Sequence, residues 1–520
     1  MSQYLNTLFF SHSQNKITMP LITKKNIPLI IIFISAILLR FSGITSRPIW
    51  YDESFSILFA EKGPSIILNG TLSEDQNASS AEEHPPLYYF ILWAWFNVTN
   101  VSVVTARFLS ILLSLMSFVI IYLITKYLFN SKTALFASLI FAILPFQIHF
   151  AQEIRMYAML SLWLLLATFA FLKTKENTRW WVVFSISCTL AQYTHNLAAI
   201  YLIPLSLTPL FQKDWKTLRN LILAGLVSLT LYLPWLIHLP AQLSKINAHY
   251  WVKKPGIEKL FTLILFYLPH LPLPNSLLII GLLLAMLITT LAFFQTYLSA
   301  KNKLPNTNYG LWLAYLAFFP PLLLWVISQF TSVYIERALL PSHAIFCIWL
   351  AWALTETKAP KIIQTFTLSL VVTCAAIGFW QHLTYKDFPY ADYQAVNHSL
   401  QNQIQTGDVI IHSSKLSYLP AFYFDPTIQQ GFILDPENSD VDTLAPATRQ
   451  ILGLTEYANI ETATKNSNRV WLVIYQDSLN EYTSINAIHP HIEFMNSNFN
   501  RENIEEWGNL RLYLYIPHQP

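Results

Sequence analysis

The chain alternates long apolar runs with short polar turns for about its first 380 residues, and then the alternation stops. A membrane-spanning helix needs roughly 20 predominantly apolar residues. Runs of that length or slightly less lie near 27–45, 103–125, 133–150, 156–172, 180–194, 197–212, 220–238, 275–298, 309–330, 338–355 and 362–380, which predicts about eleven transmembrane helices. The first follows Lys24-Lys25 with no cleavable signal ahead of it, so residues 1–26 are expected to form a cytoplasmic segment and 27–45 a signal anchor. "PPLYYFILWAWF" (85–96) is too short to span and predicts a re-entrant or interface-lying helix. "GIEKLFTLILFYLPHLPLP" (256–274) is left open between spanning and interfacial.

From about 385 the pattern becomes that of a water-soluble domain. Tyr393, Val396, Leu400 and Ile404 mark one face of a helix, and "DVIIHS" (408–413), "RVWLVIYQ" (469–476) and "LRLYLYIP" (510–517) read as strands. The expected organisation is a helical polytopic domain over 27–380 and a small α/β domain over 381–520 outside the membrane. Of the 520 residues, 54% are hydrophobic and only 12% charged, well below the quarter usual in soluble proteins. A net charge of +3 without a basic stripe gives no footprint for nucleic acid. Cys188, Cys347 and Cys374 sit inside apolar runs without metal or disulfide spacing, and no glycine-rich phosphate loop is present.

Cations orient the helices. Lys126 and Lys132, then Lys173, Lys175 and Arg179, then Lys213, Lys216 and Arg219, then Lys301 and Lys303, then Lys358 and Lys361 fall in alternate turns, on the side of Lys24-Lys25. The positive-inside rule makes that side cytoplasmic. The opposite side then receives the 46–102 loop, the 239–274 segment and the C-terminal domain.

On that outer side the ionisable residues are few, and each is costly at a helix end. They are Asp52-Glu53, Glu82-Glu83-His84, Arg107, Gln152-Glu153 with Arg155, His195, Lys253-Lys254 and Glu336-Arg337. Together they describe the rim of one water-accessible cleft. Asp52 and Glu53 would point about 100° apart on a helix, so one can face a pocket while the other bonds to structure. A general base and a solvated loop pair are both open readings of that pair. Pro85-Pro86 hold His84 extended, either over the cleft or simply as a helix start. Gln152 and Arg155 are spaced to share a face, with Tyr157 at the interface; an outer anchor is the alternative for Arg155. His195 serves equally as a structural hydrogen-bonding residue. Tyr334 and Arg337, three apart, suit a buried anionic partner. "NAHYWVKKPG" (247–256), with Lys253 and Lys254, reads either as a lid over a lipid phosphate or as an interfacial belt.

In this order "WYDES", "EHPPLYY", "ARFLSIL", "FAQEIRMYAMLSLWLL", "YTHN" and "ERALLP" resemble the family-39-like glycosyltransferases of the GT-C fold, kin of protein O-mannosyltransferases and of the lipid A aminoarabinose transferase. The resemblance covers roughly 30–380. It implies a cytoplasmic-membrane enzyme that moves a sugar from a polyprenyl phosphate to a glycan, lipid or protein acceptor on the outer face, with inversion. Asp52 would be the catalytic base and Glu53 the second acidic position of its motif. Glu83, His84, Arg155, Tyr157, His195, Tyr334, Arg337, Lys253 and Lys254 would bind substrate, although His84 stands where relatives often have Lys. No cofactor is assigned. A divalent metal stays open, since the aminoarabinose enzyme binds zinc through a distant histidine and only His249, without a motif, could correspond. The rival readings are a transporter or flippase for the lipid-linked sugar, a ligase using a pyrophosphate-linked oligosaccharide, and a non-catalytic assembly subunit.

Overall fold

The computed structural model describes residues 26–72, 82, 84–240, 252–435, 444, 446–465 and 467–518. Every apolar run predicted to span forms helix. In chain order these are α1 (Ile27–Phe41), α5 (Val103–Leu128), α6 (Ser131–Ile143), α7 (Pro145–Gln152), α8 (Tyr157–Lys173), α9 (Trp180–Thr194), α10 (Ala198–Phe211), α11 (Trp215–Leu236), α13 (Asn275–Lys301), α14 (Thr307–Ile327), α15 (Leu340–Thr355) and α16 (Lys361–Thr384). Between α1 and α5 lie three short helices, α2 (Tyr51–Glu61), α3 (Pro64–Leu72) and α4 (Leu87–Val98). In the open 256–274 stretch, helix α12 (Glu258–Tyr267) has ten residues, fewer than a single spanning helix needs. Six helices among the described residues are long and apolar enough to cross a membrane, or seven if the bent α6–α7 pair counts as one span. Helices α1, α8 and α10 are shorter apolar helices.

Local chemistry sets the helix ends. Ser102, Asn130 and Asp214 cap α5, α6 and α11 by accepting the N–H groups of Thr105, Thr133 and Thr217. Pro145 bends α6 against α7 by 58°. Having no N–H, it leaves the carbonyl of Phe141 without its helical donor. Arg40 of α1, fully buried, fills that gap: its Nη2 donates to Phe141 O at 3.3 Å, its Nη1 to Ala142 O at 3.2 Å and its Nε to Ser114 Oγ at 2.9 Å.

Helix α15 is apolar on every side and lies buried at the centre of the bundle. Its Trp352 packs so closely on α14 that a Cβ at Gly310 would stand 2.4 Å from the ring, the small-residue contact by which helices approach in lipid. By contrast α11 exposes Ile222, Leu223, Leu226, Leu229 and Leu233, and α13 exposes Ile279, Leu283 and Met286. These are lipid-facing surfaces. Three of the cation-bearing turns meet at one end of the bundle: Asn130 Nδ2 donates to Glu356 at 2.6 Å, and Lys173 lies over the Tyr127 ring at 4.8 Å.

At the other end sits the C-terminal domain, a six-stranded sheet in the order β3-β2-β1-β4-β6-β5. Strands β1 (Asp408–His412), β2 (Gln430–Ile433), β3 (Glu456–Tyr457) and β4 (Arg469–Tyr475) run parallel, while β5 (Phe499–Trp507) and β6 (Leu510–Pro517) form an antiparallel edge. The helix predicted from Tyr393, Val396 and Leu400 is α17 (Tyr393–Gln403), with those three residues buried against the sheet. Strands β2, β3 and β5 had no sequence signal strong enough to call: β2 and β3 are short, and β5 is a polar edge strand.

Candidate active site

Helix α2 begins immediately after Trp50, and its first turn carries Asp52 and Glu53, where negative charge favours a helix N-terminus. The two carboxylates diverge. Glu53 is fully buried and clasped by Arg107 of α5, whose Nη2 donates to Oε2 at 3.0 Å; the backbone N–H of Ile154 donates to Oε1 at 3.1 Å. Arg107 also donates to the carbonyls of Ile44, Arg47 and Pro48 at 3.0, 2.7 and 3.1 Å. This pair therefore ties α2 to the 42–50 and 153–156 turns. Glu53, expected beside Asp52 in the catalytic pair, is thus occupied by Arg107 and the Ile154 N–H and does not share the surroundings of Asp52.

Asp52 turns the other way, toward two arginines delivered by distant segments. Arg337 Nη1 lies 3.0 Å from Asp52 Oδ2, and Arg155 Nε lies 3.7 Å from the same oxygen. The Asp52 side chain keeps 17% of its surface exposed, so the carboxylate remains reachable. Arg337 is sandwiched by rings, 5.4 Å from the Trp50 centroid and 5.1 Å from that of Tyr157. It also approaches Glu153 Oε1 at 3.6 Å. Arg155 Nη1 donates to Ser56 Oγ and Tyr89 Oη, both at 3.2 Å, and Tyr89 donates in turn to Glu82 Oε2 at 2.8 Å. The result is a connected set of charges, Glu82–Tyr89–Arg155–Asp52–Arg337–Glu153.

Burial opposes charge on Arg155, but Tyr89, Asp52 and Glu82 beside it outweigh that cost and hold it well above the usual arginine range. Burial would also raise Glu82, yet its contacts with His84 and Arg155 bring it down to about 2. In Glu153 burial prevails over Arg337, with Glu53 adding to the rise, and its carboxyl is pushed up to about 7. One of its oxygens, Oε2, has no hydrogen-bond partner among the described residues.

The remaining expected residues divide. His84 pairs with Glu82, and its ring lies 4.8 Å from that of His195, which in turn lies 5.6 Å from the Tyr157 ring. Both histidines thus border the cluster. Burial holds His195 well below the ordinary histidine value, so it is neutral there. Glu83 and His249 lie outside the described residues. Lys253 and Lys254 are exposed and make no ion pair among the described residues, so the structure does not bring them to Asp52. Tyr334 does not share a helix face with Arg337, because residues 332–335 have no helical structure and the 3₁₀ turn Glu336–Leu339 starts only afterwards. Nor does Gln152 share a face with Arg155: α7 ends at Gln152, whose amide donates to Arg40 O and Ser42 O at 2.8 Å. Among the described residues no group of three or more His, Cys, Asp or Glu side chains is arranged to hold a metal ion. Tyr89 and Ser56 join the cluster without any sequence signal, whereas Glu82 and Glu153 were placed on the rim of the cleft but given no binding role. Glu82 and Glu153 had one available signal, a carboxylate next to a chosen residue at a helix end.

Residues 83–238 match the family model described as dolichyl-phosphate-mannose-protein mannosyltransferase, less than half of the chain. No curated protein sequence matches the chain. Among solved structures, ArnT from Cupriavidus metallidurans in the apo state superposes with a TM-score of 0.61 at 11% identity, over 94% of this chain and 97% of that one. The same protein bound to undecaprenyl phosphate gives 0.58 at 10% identity, over 94% and 98%. The apo oligosaccharyltransferase of Archaeoglobus fulgidus gives 0.51 at 10% identity, over 95% of this chain and 74% of that one. At these identities the likeness establishes architecture.

Proposed function

We propose, on the premise that this chain has the GT-C glycosyltransferase fold, that it transfers a sugar from a polyprenyl phosphate to an acceptor hydroxyl, with Asp52 as general base. The fold likeness to a transferase crystallised with undecaprenyl phosphate supports the donor class. The cation-rich turns support a cytoplasmic-membrane orientation with the site and the sheet domain on the extracytoplasmic side. The observation that carries the reading is the meeting of one accessible carboxylate with two guanidinium groups brought from α8's leading turn and the turn before α15.

The chemistry follows from that arrangement. The acceptor oxygen attacks the anomeric carbon as the bond from that carbon to the phosphate oxygen breaks. The electron pair leaves with the phosphate and the acceptor proton passes to Asp52, so the configuration inverts. The departing phosphate gains charge, which Arg155 and Arg337 stabilise without a general acid. Before donor binds, those guanidiniums neutralise Asp52; an arriving phosphate competes for them and frees the carboxylate to accept a proton. His84 and His195 border the same space from the α4 and α9 ends.

Asp52→Asn keeps the shape and removes the base. Loss of a general base costs on the order of 10²–10⁴-fold. Mass spectrometry of envelope glycans and glycolipids is expected to show one modification lost in cells making Asp52→Asn at wild-type level. An unchanged glycan profile overturns the reading, and it would favour a lipid-linked-sugar transporter that needs no base.

A further inference from the structure

Arg337 has a second side. Besides meeting Asp52, it borders a cavity of about 240 Å³ with aromatic walls that include Trp50, Phe150, Phe266 and Tyr390. Its polar lining includes Glu153, Arg47 and His270. Each has a buried side-chain atom without a hydrogen-bond partner among the described residues, namely Glu153 Oε2, Arg47 Nη1 and both ring nitrogens of His270. Glu153 is 2% exposed and His270 7%. Buried polar atoms are nearly always paired, so these three residues take their partners from whatever fills the hollow, water in the ligand-free protein and a polar ligand when one is bound. His270 is held there by its backbone, in a left-handed turn after α12 with φ +64° and its N–H donated to Leu265 O at 2.7 Å.

The cavity adjoins a second one of about 290 Å³, with Arg47, His382 and Tyr385 lining both. This outer chamber lies where the bundle meets the sheet domain: Ser46 and Gln152 line one side, Asp392, Glu506 and Trp507 the other. Arg47 is bonded to Tyr390 and stacks over its ring at 4.7 Å, so the strap 385–390 roofs the passage between the chambers.

We propose that these two chambers form the acceptor site and that the acceptor is a saccharide, one sugar ring filling the inner cavity with a hydroxyl toward Asp52 and the next unit lying against Trp507. This rests on the transferase reading above. A sugar ring has apolar faces and a hydroxylated edge, which matches aromatic walls interrupted by donors and acceptors. His270, lowered by burial to about 3, is neutral and offers one ring nitrogen as donor and one as acceptor, as a hydroxyl group requires. Pockets for drug-sized ligands run from about 300 to 1,000 Å³, so the inner cavity suits a single ring better than a peptide segment. The adjoining chamber is lined by residues of both the bundle and the sheet domain.

Saturation-transfer NMR on the full-length protein in nanodiscs tests this with methyl glycosides and a disaccharide panel as probes. Wild type is expected to give saccharide signals, at least fivefold weaker in both His270→Ala and Trp507→Ala, while undecaprenyl phosphate binding stays within twofold. Trp507, half-buried on the edge strand β5 and remote in the chain from the His270 turn, is a second variant that keeps the test valid if His270→Ala misfolds. Equal signals in wild type and Trp507→Ala overturn the proposal, as does binding of a serine-containing peptide with no saccharide signal. Displacement of the saccharide by polyprenyl-phosphate mannose also overturns it, since the inner cavity would then hold the donor's sugar. Asp52→Asn is expected to retain saccharide binding. If that variant also retains envelope glycan transfer, the base assignment falls while the saccharide site stands.

Discussion

Two neighbouring carboxylates, Asp52 and Glu53, have different surroundings because helix geometry turns them toward different partners. Glu53 meets Arg107 in a fully buried pair, and removing one member of such a pair strands the other charge. Arg107→Met is therefore expected to destabilise by about 3–5 kcal/mol. Glu53→Leu combined with Arg107→Met should recover much of that loss, as thermal unfolding in detergent would reveal. Glu153 supplies a pH test. Its folded value of about 7 lies above the ordinary 4.5, so its protonated form favours the fold. That contribution is complete below pH 4.5 and is lost as pH rises toward 7, with a slope of at most about 1.4 kcal/mol per pH unit. Glu153→Gln should flatten the stability profile over that window; an unchanged slope would assign it to other groups.

At the level of elements, the site depends on broken and closely packed helices. Pro145 separates α6 from α7, and α7 then carries His149 and Gln152 toward the sheet-domain end. Helix α16 passes the turn after α12 so tightly that a Cβ on Gly378 would lie 1.8 Å from Pro269 O and 2.6 Å from Pro145 Cγ. Backbone must move to admit it. Gly378→Ala is thus expected to displace the turn bearing His270, lowering the unfolding temperature and reducing transfer together. If transfer is retained with a wild-type unfolding temperature, that contact is softer than its geometry implies. Helix α2, only eleven residues long, relies on Arg107 and the 153–156 turn for its position.

Across the whole molecule, the sheet domain and the helical bundle share a boundary at the strap 385–390. The bond between Arg47 and Tyr390 crosses it, and Tyr393 of α17 meets Tyr475 of β4 just beyond. Tyr390→Ala removes the ring and hydroxyl that Arg47 holds. Limited proteolysis of that variant should cleave near 385–392 at least about tenfold faster, because local opening rates track local contacts. Equal cleavage rates would mean that the strap is held elsewhere.

The amphipathic and apolar runs determined by themselves where helices form, where most begin and which end of the bundle carries cations. Those outcomes follow from spacing, capping and hydration, which act over a few residues. Helix α17 and strands β1, β4 and β6 were legible for the same reason, whereas the polar edge β5 was not. Only the tertiary structure decided which carboxylate faces Arg337, that Lys253 and Lys254 stand apart, and that Glu153, Arg47 and His270 surround one cavity. Residues 52 and 337, or 47 and 270, meet through packing of helices far apart in the chain. Local periodicity carries the side on which a residue emerges, but the partner awaiting it there is set by the assembled bundle.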